Sequence, residues 1–354
     1  MVARFVAKNP RGLTPLPRPD TMVSLHYGGR SSVGRASGCD PESRGFKSRR
    51  SPLQQTIPVL MRGWFVFGQL GACGAHGGAD GAGTAMVRDM RIAALQFDIA
   101  WMDPARNWAT IHRLTASANL SAGDFVLLPE LADTGFTMDP PPAGGPDPVE
   151  ATAQLARRYG VWMQSGHAER DATSGALHNA ASIIRPDGSV AGTYRKMHLF
   201  SPAREDQHYA PGDTISVIDV PLSDGTWRVA PFICYDLRFP ELFRLAALAG
   251  ADVFTIGASW PGARAVHRRA LAVARAIENQ AFVIACNRIG HDPQAAYHGD
   301  SFVVAPSGEI IAEAGDGELA LIAELDRNEL LRWRDKFPAL RDLRRSLLGN
   351  VRIA

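Results

Sequence analysis

The stretch Ala230-Pro-Phe-Ile-Cys-Tyr-Asp-Leu-Arg-Phe-Pro240 is the most informative part of the chain, because an apolar run ends abruptly in polar residues within it. Its pattern predicts a buried strand that turns sharply into a helix, with Cys234 at the turn. A thiol placed there would be exposed at a sheet edge, where the helix N-terminus favours the thiolate and offers N–H groups to an oxyanion. The same pattern is also typical of an inert core cysteine. This segment alone leaves both interpretations open.

Strands and amphipathic helices alternate on both sides of this segment from Met90 onward. Strands are predicted over residues 91–97, 124–129, 161–165, 180–185, 189–195, 227–233, 251–256, 281–285, 302–306, 310–313 and 319–324, and helices over 103–121, 149–159, 240–249, 264–279 and 327–336. The alternation predicts an α/β layered architecture. Turn signals at 186–188 and 307–308 mark hairpins, so we expect mixed rather than purely parallel sheets.

Composition excludes several classes of protein. The chain has 354 residues, 45% of them hydrophobic, which is enough to bury a large core. Its net charge of +2 does not point to nucleic acid or a membrane surface, and no apolar run is long enough to span a bilayer. Its four cysteines are widely spaced and form neither a disulfide framework nor a metal-binding pair. This cysteine usage suits a reducing compartment, so we expect a cytoplasmic protein. The ten histidines show no HxxxH or HxH spacing with acidic partners and the chain has no Gly-rich nucleotide loop, so we expect neither a metal nor an organic cofactor.

The first 89 residues differ in composition from the rest of the chain. They are rich in Arg, Gly, Ser and Pro, and residues 71–83 are of low complexity. Residues 28–52 resemble the conceptual translation of a transfer-RNA gene, which suggests that the chain proper starts at Met86 or Met90. We expect residues 1–89 to be poorly ordered and functionally silent, and residues 90–354 to form the functional domain. The alternative is a genuine extension, either a basic arm that binds nucleic acid or a targeting peptide.

In three segments of the sequence, an apolar strand ends at a reactive side chain. They carry Glu130, Lys196 and Cys234, and functional groups gather outside the carboxyl ends of strands in open α/β sheets. Taken singly, Glu130 and Lys196 are more often solvated surface residues than catalytic ones. His198 or His208 could instead act as the base for Cys234, as in a Cys–His pair. Considered one at a time, these residues do not decide between a catalytic role, a surface role and a Cys–His pair.

Together the three segments resemble the nitrilase superfamily of carbon–nitrogen hydrolases. The Glu–Lys–Cys triad of that family corresponds to Glu130, Lys196 and Cys234, and a second acidic residue corresponds to Glu205. The resemblance extends from Met90 to about Leu343. It implies a four-layer α-β-β-α sandwich of two mixed β-sheets flanked by helices. It also implies at least a homodimer.

Other local sequences are similar to the ω-amidase branch of that family, which hydrolyses the terminal amide of 2-oxo dicarboxylic monoamides such as 2-oxoglutaramate. They are residues 234–240, 258–261, 274–280 and 299–301. One departure is Ser259, where close bacterial relatives commonly carry Asn, and it leaves the substrate less certain than the reaction. The alternatives within the family are an N-carbamoyl amidase, a deaminated-glutathione amidase or a nitrilase. An alternative outside enzymes is a catalytically silent binding or scaffold member.

The resemblance also implies a role for each site residue. Cys234 is the nucleophile and Glu130 the proton carrier. Lys196 and the backbone N–H of Tyr235 stabilise the oxyanion, and Glu205 orients Lys196 and the attacking water. For the substrate, Trp260 is expected to line the pocket and Arg264 to bind a carboxylate, although Arg264 could equally form a structural ion pair.

Overall fold

The computed structural model describes residues 89–139, 147–223 and 225–345, and most of its strands lie in two six-stranded sheets. The prediction for residues 1–89 falls outside these ranges except at Asp89. In the first sheet the strand order is β14-β1-β2-β3-β4-β5. The strands, numbered in chain order, are β1 (Met90–Gln96), β2 (Phe125–Leu127), β3 (Trp162–Arg170), β4 (Leu177–Ile184), β5 (Val190–Arg195) and β14 (Leu319–Leu325). β2 runs parallel to both of its neighbours, and the other pairs are antiparallel.

The second sheet is built in the same way around a parallel centre. Its strand order is β13-β12-β9-β8-β7-β6, and β8 runs parallel to β7 and β9. The strands are β6 (Ile218–Leu222), β7 (Gly225–Ile233), β8 (Val253–Ala258), β9 (Phe282–Asn287), β12 (Phe302–Val304) and β13 (Ile310–Glu313). A separate antiparallel hairpin joins β10 (Ile289–His291) to β11 (Ala296–His298). The sequence did not predict β6 or this hairpin. In β6 the apolar residues do alternate, but the segment is short and contains Pro221, which weakens a strand prediction. The two strands of the hairpin have only three residues each.

Five α-helices occur in the described ranges: α1 (Pro104–Ser117), α2 (Pro148–Tyr159), α3 (Pro240–Leu248), α4 (Ala265–Asn279) and α5 (Arg327–Lys336). Asp103 caps α1 as predicted, its carboxylate accepting the N–H of Arg106, and Pro104 occupies the first helical position. The prediction that this helix continues to residue 121 is wrong. Asn119 has a left-handed φ of 51°, which an α-helix cannot contain, so the helix ends at Ser117.

Period-two alternation within the strands separates the core into layers. In β9, Phe282 and Ile284 belong to the core between the two sheets, whereas Val283 faces the core beneath α3 and α4. In β1, alternate residues likewise face either the core between the sheets or the core beneath α1 and α2. Because successive side chains of a strand point to opposite faces, one run of apolar residues serves two cores. The result is the predicted four-layer α-β-β-α sandwich of two mixed sheets.

None of the helices in the described part of the chain is both long and apolar enough to cross a membrane.

We expect Phe282→Ala to destabilise the fold by about 3–5 kcal/mol, because it opens a cavity between the sheets. The side chain is fully buried, and its ring centroid lies 6.1 Å from that of Trp227. Thermal and urea unfolding would measure the change.

The matched control is Leu331→Ala on α5, whose side chain is 43% exposed. It should change the free energy of unfolding by less than about 1 kcal/mol. Equal effects of the two substitutions would contradict the assignment of Phe282 to the central core.

Candidate active site

Cys234 lies where β7 ends, at the first residue of a 3-10 turn, Cys234–Arg238, which leads into α3. This is the strand-turn-helix arrangement that the sequence predicts. The backbone of Cys234 has a φ of 42°, a left-handed conformation that is strained for a residue with a side chain. The expected exposure is not observed, because Cys234 is only 9% exposed. The turn therefore aims the thiol into an interior cavity rather than at solvent.

The turn is held in place by the buried carboxylate of Asp236. One of its oxygens accepts the hydroxyl of Tyr194 (2.8 Å) and the backbone N–H of Ile233 (3.1 Å). The other accepts the backbone N–H of His198 (3.0 Å). Tyr194 and His198 flank Lys196 in sequence, so one carboxylate fixes the position of the Cys234 turn relative to the lysine segment.

The two histidines that the sequence left open as bases for Cys234 lie elsewhere. His198 Nδ1 is 3.1 Å from Asp236, and its ring stacks on Phe239 with the centroids 3.6 Å apart. His208 is exposed. Neither side chain lines the cavity that contains Cys234. This geometry does not support a Cys–His pair.

Glu130 reaches the same cavity on a segment that follows β2 and passes close to strands of both sheets. A Cβ on Gly166 of β3 would lie 2.2 Å from the carbonyl oxygen of Pro129, and one on Gly257 of β8 would lie 2.8 Å from that of Leu128. Because neither separation tolerates a side chain, both glycines are needed for this close approach. Glu130 is thereby placed deep in the molecule, with only 1% of its surface exposed.

Lys196 is buried between two carboxylates. Its Nζ donates to Glu130 Oε1 (2.7 Å) and to both oxygens of Glu205 (3.0 and 2.8 Å). Burial alone would lower the pKa of Lys196, but the charges of Glu130 and Glu205 outweigh it and raise that pKa above its ordinary value. The ammonium is therefore a permanent positive charge beneath the thiol.

Each carboxylate of this cluster has further hydrogen-bond donors. Asn179 of β4 donates through Nδ2 to Glu130 (2.9 Å) and to Glu205 (2.8 Å). Glu130 Oε2 accepts the backbone N–H of Ser259 (3.0 Å), and Glu205 Oε2 accepts that of Phe200 (2.6 Å). Sequence reasoning missed Asn179, because a buried asparagine in a strand gives no local signal of function.

The surroundings of the Cys234 thiol favour its protonated form. Burial raises its pKa well above the ordinary value, and the charge of Glu130 raises it further, although Lys196 acts in the opposite direction. The sequence-based expectation that a helix N-terminus would favour the thiolate is therefore outweighed. A thiol beside a carboxylate needs that carboxylate to accept its proton as it attacks.

A cavity of about 700 Å³ opens above these groups. It is lined at the deep end by Glu130, Lys196 and Cys234, and further out by Phe136, Phe200, Tyr235, Arg238, Trp260, Arg264, Tyr297 and His298, among others. The predicted pocket residues Trp260 and Arg264 are thus both on the wall. Glu205 lies behind Lys196 and does not line the cavity. Tyr235 follows Cys234 in the 3-10 turn, where backbone N–H groups have no partner within the helix.

Arg238 is a second cation of the cavity wall, which the sequence pattern did not single out. Its guanidinium lies 4.7 Å from the ring centroid of Trp260, and that of Arg264 lies 5.5 Å from the ring of Phe200. Among the described residues, neither arginine forms an ion pair with a carboxylate. The alternative of a structural ion pair for Arg264 is therefore not observed, and both cations are available to a negatively charged ligand.

The described ranges contain no candidate metal-binding site. No group of three or more His, Cys, Asp or Glu side chains is placed there to hold an ion.

Asp133 is a buried acid three residues after Glu130 that the sequence did not single out. It is 5% exposed, and Oδ1 has no hydrogen-bond partner among the described residues. Burial raises the pKa of Asp133 to about 6, although hydrogen bonds from its own backbone and from Thr134 oppose the change.

Comparison with known proteins identifies similar sequences along most of the chain. The model of the carbon-nitrogen hydrolase family matches residues 91–335. The omega-amidase of Escherichia coli strain K12 is 36% identical over 266 residues, which are 72% of this chain and 96% of that protein. The 2-oxoglutaramate amidase of Bacillus subtilis strain 168 is 33% identical over 260 residues, or 72% of this chain and 98% of that protein.

Solved structures show the same fold. A CN-hydrolase superfamily protein from Xanthomonas campestris, crystallised with an arsenic adduct in its active site, has a TM-score of 0.64 and 33% sequence identity, and the match covers 72% of this chain and 97% of that chain. Nit3 of Saccharomyces cerevisiae, a nitrilase superfamily member, has a TM-score of 0.62 and 27% identity over 71% of this chain and 95% of that chain. The resemblance found in the sequence is thus confirmed.

Asp133→Asn should make the protein more stable at neutral pH but not in acid. The pKa of about 6 in the folded protein exceeds the ordinary value of 3.8, so the folded state disfavours the charged form. Well below pH 3.8 the acid is neutral in both states. The wild type then loses up to about 3 kcal/mol relative to the variant as the pH rises from the unfolded-state pKa to about 6, and the difference stays constant above that. Unfolding measured at about pH 2.5, 4, 5, 6 and 7.5 would show this divergence.

Asp316→Asn, at an exposed position, serves as the control. Its stability should follow the wild type at every pH. Parallel pH profiles for Asp133→Asn and the wild type would show that the carboxyl is not destabilised by burial.

Proposed function

The chain belongs to the carbon–nitrogen hydrolase family, which is the nitrilase superfamily, and we propose that it hydrolyses the terminal amide of a small 2-oxo dicarboxylic monoamide such as 2-oxoglutaramate, with release of ammonia. One observation carries the proposal: Cys234 shares a cavity with Glu130 and with a lysine that bridges two carboxylates. The substrate follows from similarity to proteins named omega-amidase and 2-oxoglutaramate amidase.

Cys234 is the proposed nucleophile and Glu130 the proposed proton carrier. Because burial raises the pKa of the thiol, Glu130 takes its proton as sulfur attacks the amide carbon. The carboxyl then passes this proton to the leaving nitrogen, the C–N bond breaks, and ammonia departs from a thioester. Water, deprotonated by the same carboxylate, attacks the thioester. Release of the carboxylic acid returns the proton to sulfur.

Lys196 and the backbone N–H of Tyr235 are proposed to stabilise the tetrahedral oxyanion. An ammonium held in place by two carboxylates needs little reorganisation when negative charge develops above it. One such donor typically contributes about 3 kcal/mol to transition-state stabilisation. Glu205 lies behind the lysine, so its proposed role is to fix Lys196 rather than to contact the substrate.

The charges of the pocket fit this chemistry. Two carboxylates and one ammonium leave one net negative charge, and the proton that moves from Cys234 to Glu130 places that charge on the nucleophile. The charge then passes to the oxyanion beside Lys196. Each step therefore keeps a negative group next to the buried cation, where Coulomb attraction is weakly screened.

The outer wall supports a substrate with a negatively charged tail. Arg238 and Arg264 both line the cavity, and no carboxylate among the described residues neutralises either of them. A 2-oxo acid ends in a carboxylate that could pair with one of these guanidinium groups. We propose that Trp260 forms the wall between this end and the thiol.

Other amides and nitriles within the family remain alternatives at the level of the substrate. An N-carbamoyl amidase, a deaminated-glutathione amidase and a nitrilase would use the same nucleophile and differ in the tail of the substrate or in the bond attacked. A catalytically silent scaffold is a poorer fit, because the two carboxylates and the ammonium are in contact and the thiol lines the same cavity as Glu130 and Lys196. The hypothesis of a basic nucleic-acid-binding arm concerns residues outside the described ranges. A cytoplasmic location and a homodimer stay predictions.

We expect the wild type to release ammonia from 2-oxoglutaramate and Cys234→Ala to lose this activity by about four orders of magnitude or more. Ammonia release would be followed in a coupled assay across a panel that also contains an N-carbamoyl amino acid, deaminated glutathione and an aliphatic nitrile. Preference for one of the other compounds would move the assignment to that activity.

The control for this assay is Cys286→Ala, which removes the other buried cysteine of the described ranges. The Cys286 thiol contacts backbone carbonyls away from the cavity, so this variant should retain activity. Normal turnover by Cys234→Ala would refute the mechanism.

Arg238→Ala and Arg264→Ala test the binding of the substrate carboxylate. Loss of a charge-assisted hydrogen bond should raise KM for 2-oxoglutaramate by about 10- to 100-fold, with a smaller change for an uncharged amide. Arg332→Ala, at a side chain that is 72% exposed, is the control. If only Arg238→Ala raises KM, the prediction made for Arg264 from the sequence is wrong and Arg238 binds the carboxylate.

A further inference from the structure

Two loops form the walls of the cavity beyond the catalytic groups. One follows β8 and contributes Ser259, Trp260 and residues up to Arg264. The other is the end of the β10–β11 hairpin, which contributes Tyr297 and His298. The loops come close together at one point, because a Cβ on Gly262 would lie 2.5 Å from the His298 ring. The width of the pocket therefore depends on what fixes the two loops relative to each other.

The Asn287 side chain joins the two loops. It is the last residue of β9, is 2% exposed and does not line the cavity. Its Oδ1 accepts the backbone N–H of Trp260 (2.8 Å), and its Nδ2 donates to the carbonyl of Trp260 (3.1 Å). Nδ2 also donates to the carbonyl of Gly299 (2.9 Å), the residue that follows His298. One amide thus binds the backbone of both walls.

The backbone around Asn287 keeps this amide in position. Its N–H donates to the hydroxyl of Ser301 (2.9 Å), which in turn donates to the carbonyl of Asn287 (3.3 Å). The buried guanidinium of Arg268 donates to the carbonyl of Gly299 (2.9 Å) from the other side. The carbonyl of Gly299 thus accepts two hydrogen bonds, and its N–H donates to the carbonyl of Arg288 (3.1 Å). Within the described residues, the backbone N–H and carbonyl of Trp260 are bound by the Asn287 amide.

The loop that follows β8 is also attached at Ser259, the end nearer to the catalytic groups. The N–H and the hydroxyl of Ser259 donate to Glu130 at 3.0 and 3.4 Å. Loss of the Asn287 amide would remove the backbone hydrogen bonds that hold Trp260 to β9 and leave Ser259 attached. The indole N–H of Trp260 would still donate to the carbonyl of Arg264, but that bond lies within the same loop and does not fix the loop to the sheet. Since the Arg238 guanidinium packs on the Trp260 ring at 4.7 Å, movement of Trp260 would also displace this cation.

We propose that Asn287 is a positioning residue for substrate specificity, which sets the distance between the Trp260 wall and the His298 wall and so selects the tail of the amide. The residue acts through Trp260 and does not touch the substrate. This inference rests on the proposed function for the identity of the tail. Its effect on the shape of the pocket does not depend on turnover.

The test compares Asn287→Ala and Asn287→Asp with Asn279→Ala and Asn279→Asp. Asn279 is a matched control, because it is also buried and ends an element, but in the part of the chain that the structure describes its side chain donates only to the carbonyl of Arg275. Cys234 is alkylated at one pH with iodoacetamide and with its bulkier N-phenyl analogue. The rate constant for the N-phenyl analogue divided by that for iodoacetamide should rise about fivefold or more in the Asn287 variants. The reason is that small displacements of a pocket wall have large kinetic effects. The ratio should stay at the wild-type value in the Asn279 variants.

Kinetics with 2-oxoglutaramate give a second readout. The Asn287 variants should raise KM by about tenfold and change kcat by less than about threefold, because a wall and not the nucleophile has moved. An inactive wild type would refute the proposed function, and the alkylation ratio would still test Asn287.

Several outcomes would overturn the proposal. They are a wild-type ratio in the Asn287 variants, an equal change in the Asn279 variants, or failure of both Asn287 variants to fold while both Asn279 variants fold. If only Asn287→Ala fails to fold, Asn287→Asp decides, because it keeps the volume and the acceptor for the Trp260 N–H.

Discussion

The ammonium of Lys196, buried between Glu130 and Glu205, is the interaction on which the rest of the site depends. All three side chains are at most 1% exposed. Removing three charges from water costs several kcal/mol each, and only close contacts with complete hydrogen bonding offset this cost. Asn179 and the N–H groups of Ser259 and Phe200 supply the remaining donors. The cluster therefore tolerates little displacement of any strand that carries it.

This requirement explains features of the fold that have no other evident reason. Glu130 reaches the lysine only because Gly166 and Gly257 let its backbone pass close to a strand of each sheet. The Asp236 carboxylate joins the turn of Cys234 to the segment of Lys196 through Tyr194 and His198. The left-handed backbone at Cys234 then directs the thiol toward both charges. A sandwich of two sheets provides this because groups from both sheets can face one cavity.

Much of the architecture could be predicted from the sequence because it depends on local patterns. The hairpin of β4 and β5, the Asp103 cap and the bounds of α5 follow from turn residues, capping residues and periodicity. Errors occur where nonlocal contacts or a left-handed residue set the limits of an element. The first helix ends early at such a residue, and β6 pairs with β7 although its own sequence is a weak strand pattern.

The sequence by itself determined the alternation of most strands and helices and the layered fold, and it singled out Glu130, Lys196 and Cys234 as candidate site residues, since each of these residues lies in a recognisable local segment. Only the tertiary structure decided how these residues interact. Glu130 and Lys196 are 66 positions apart, and their 2.7 Å contact has no trace in local pattern. The raised pKa of the Cys234 thiol, the bridging Asn179, the position of Arg238 on the cavity wall and the hydrogen bonds of Asn287 to Trp260 and Gly299 likewise follow only from the fold. The physical reason is that burial and charge act through distances in space, whereas propensity and periodicity act along the chain.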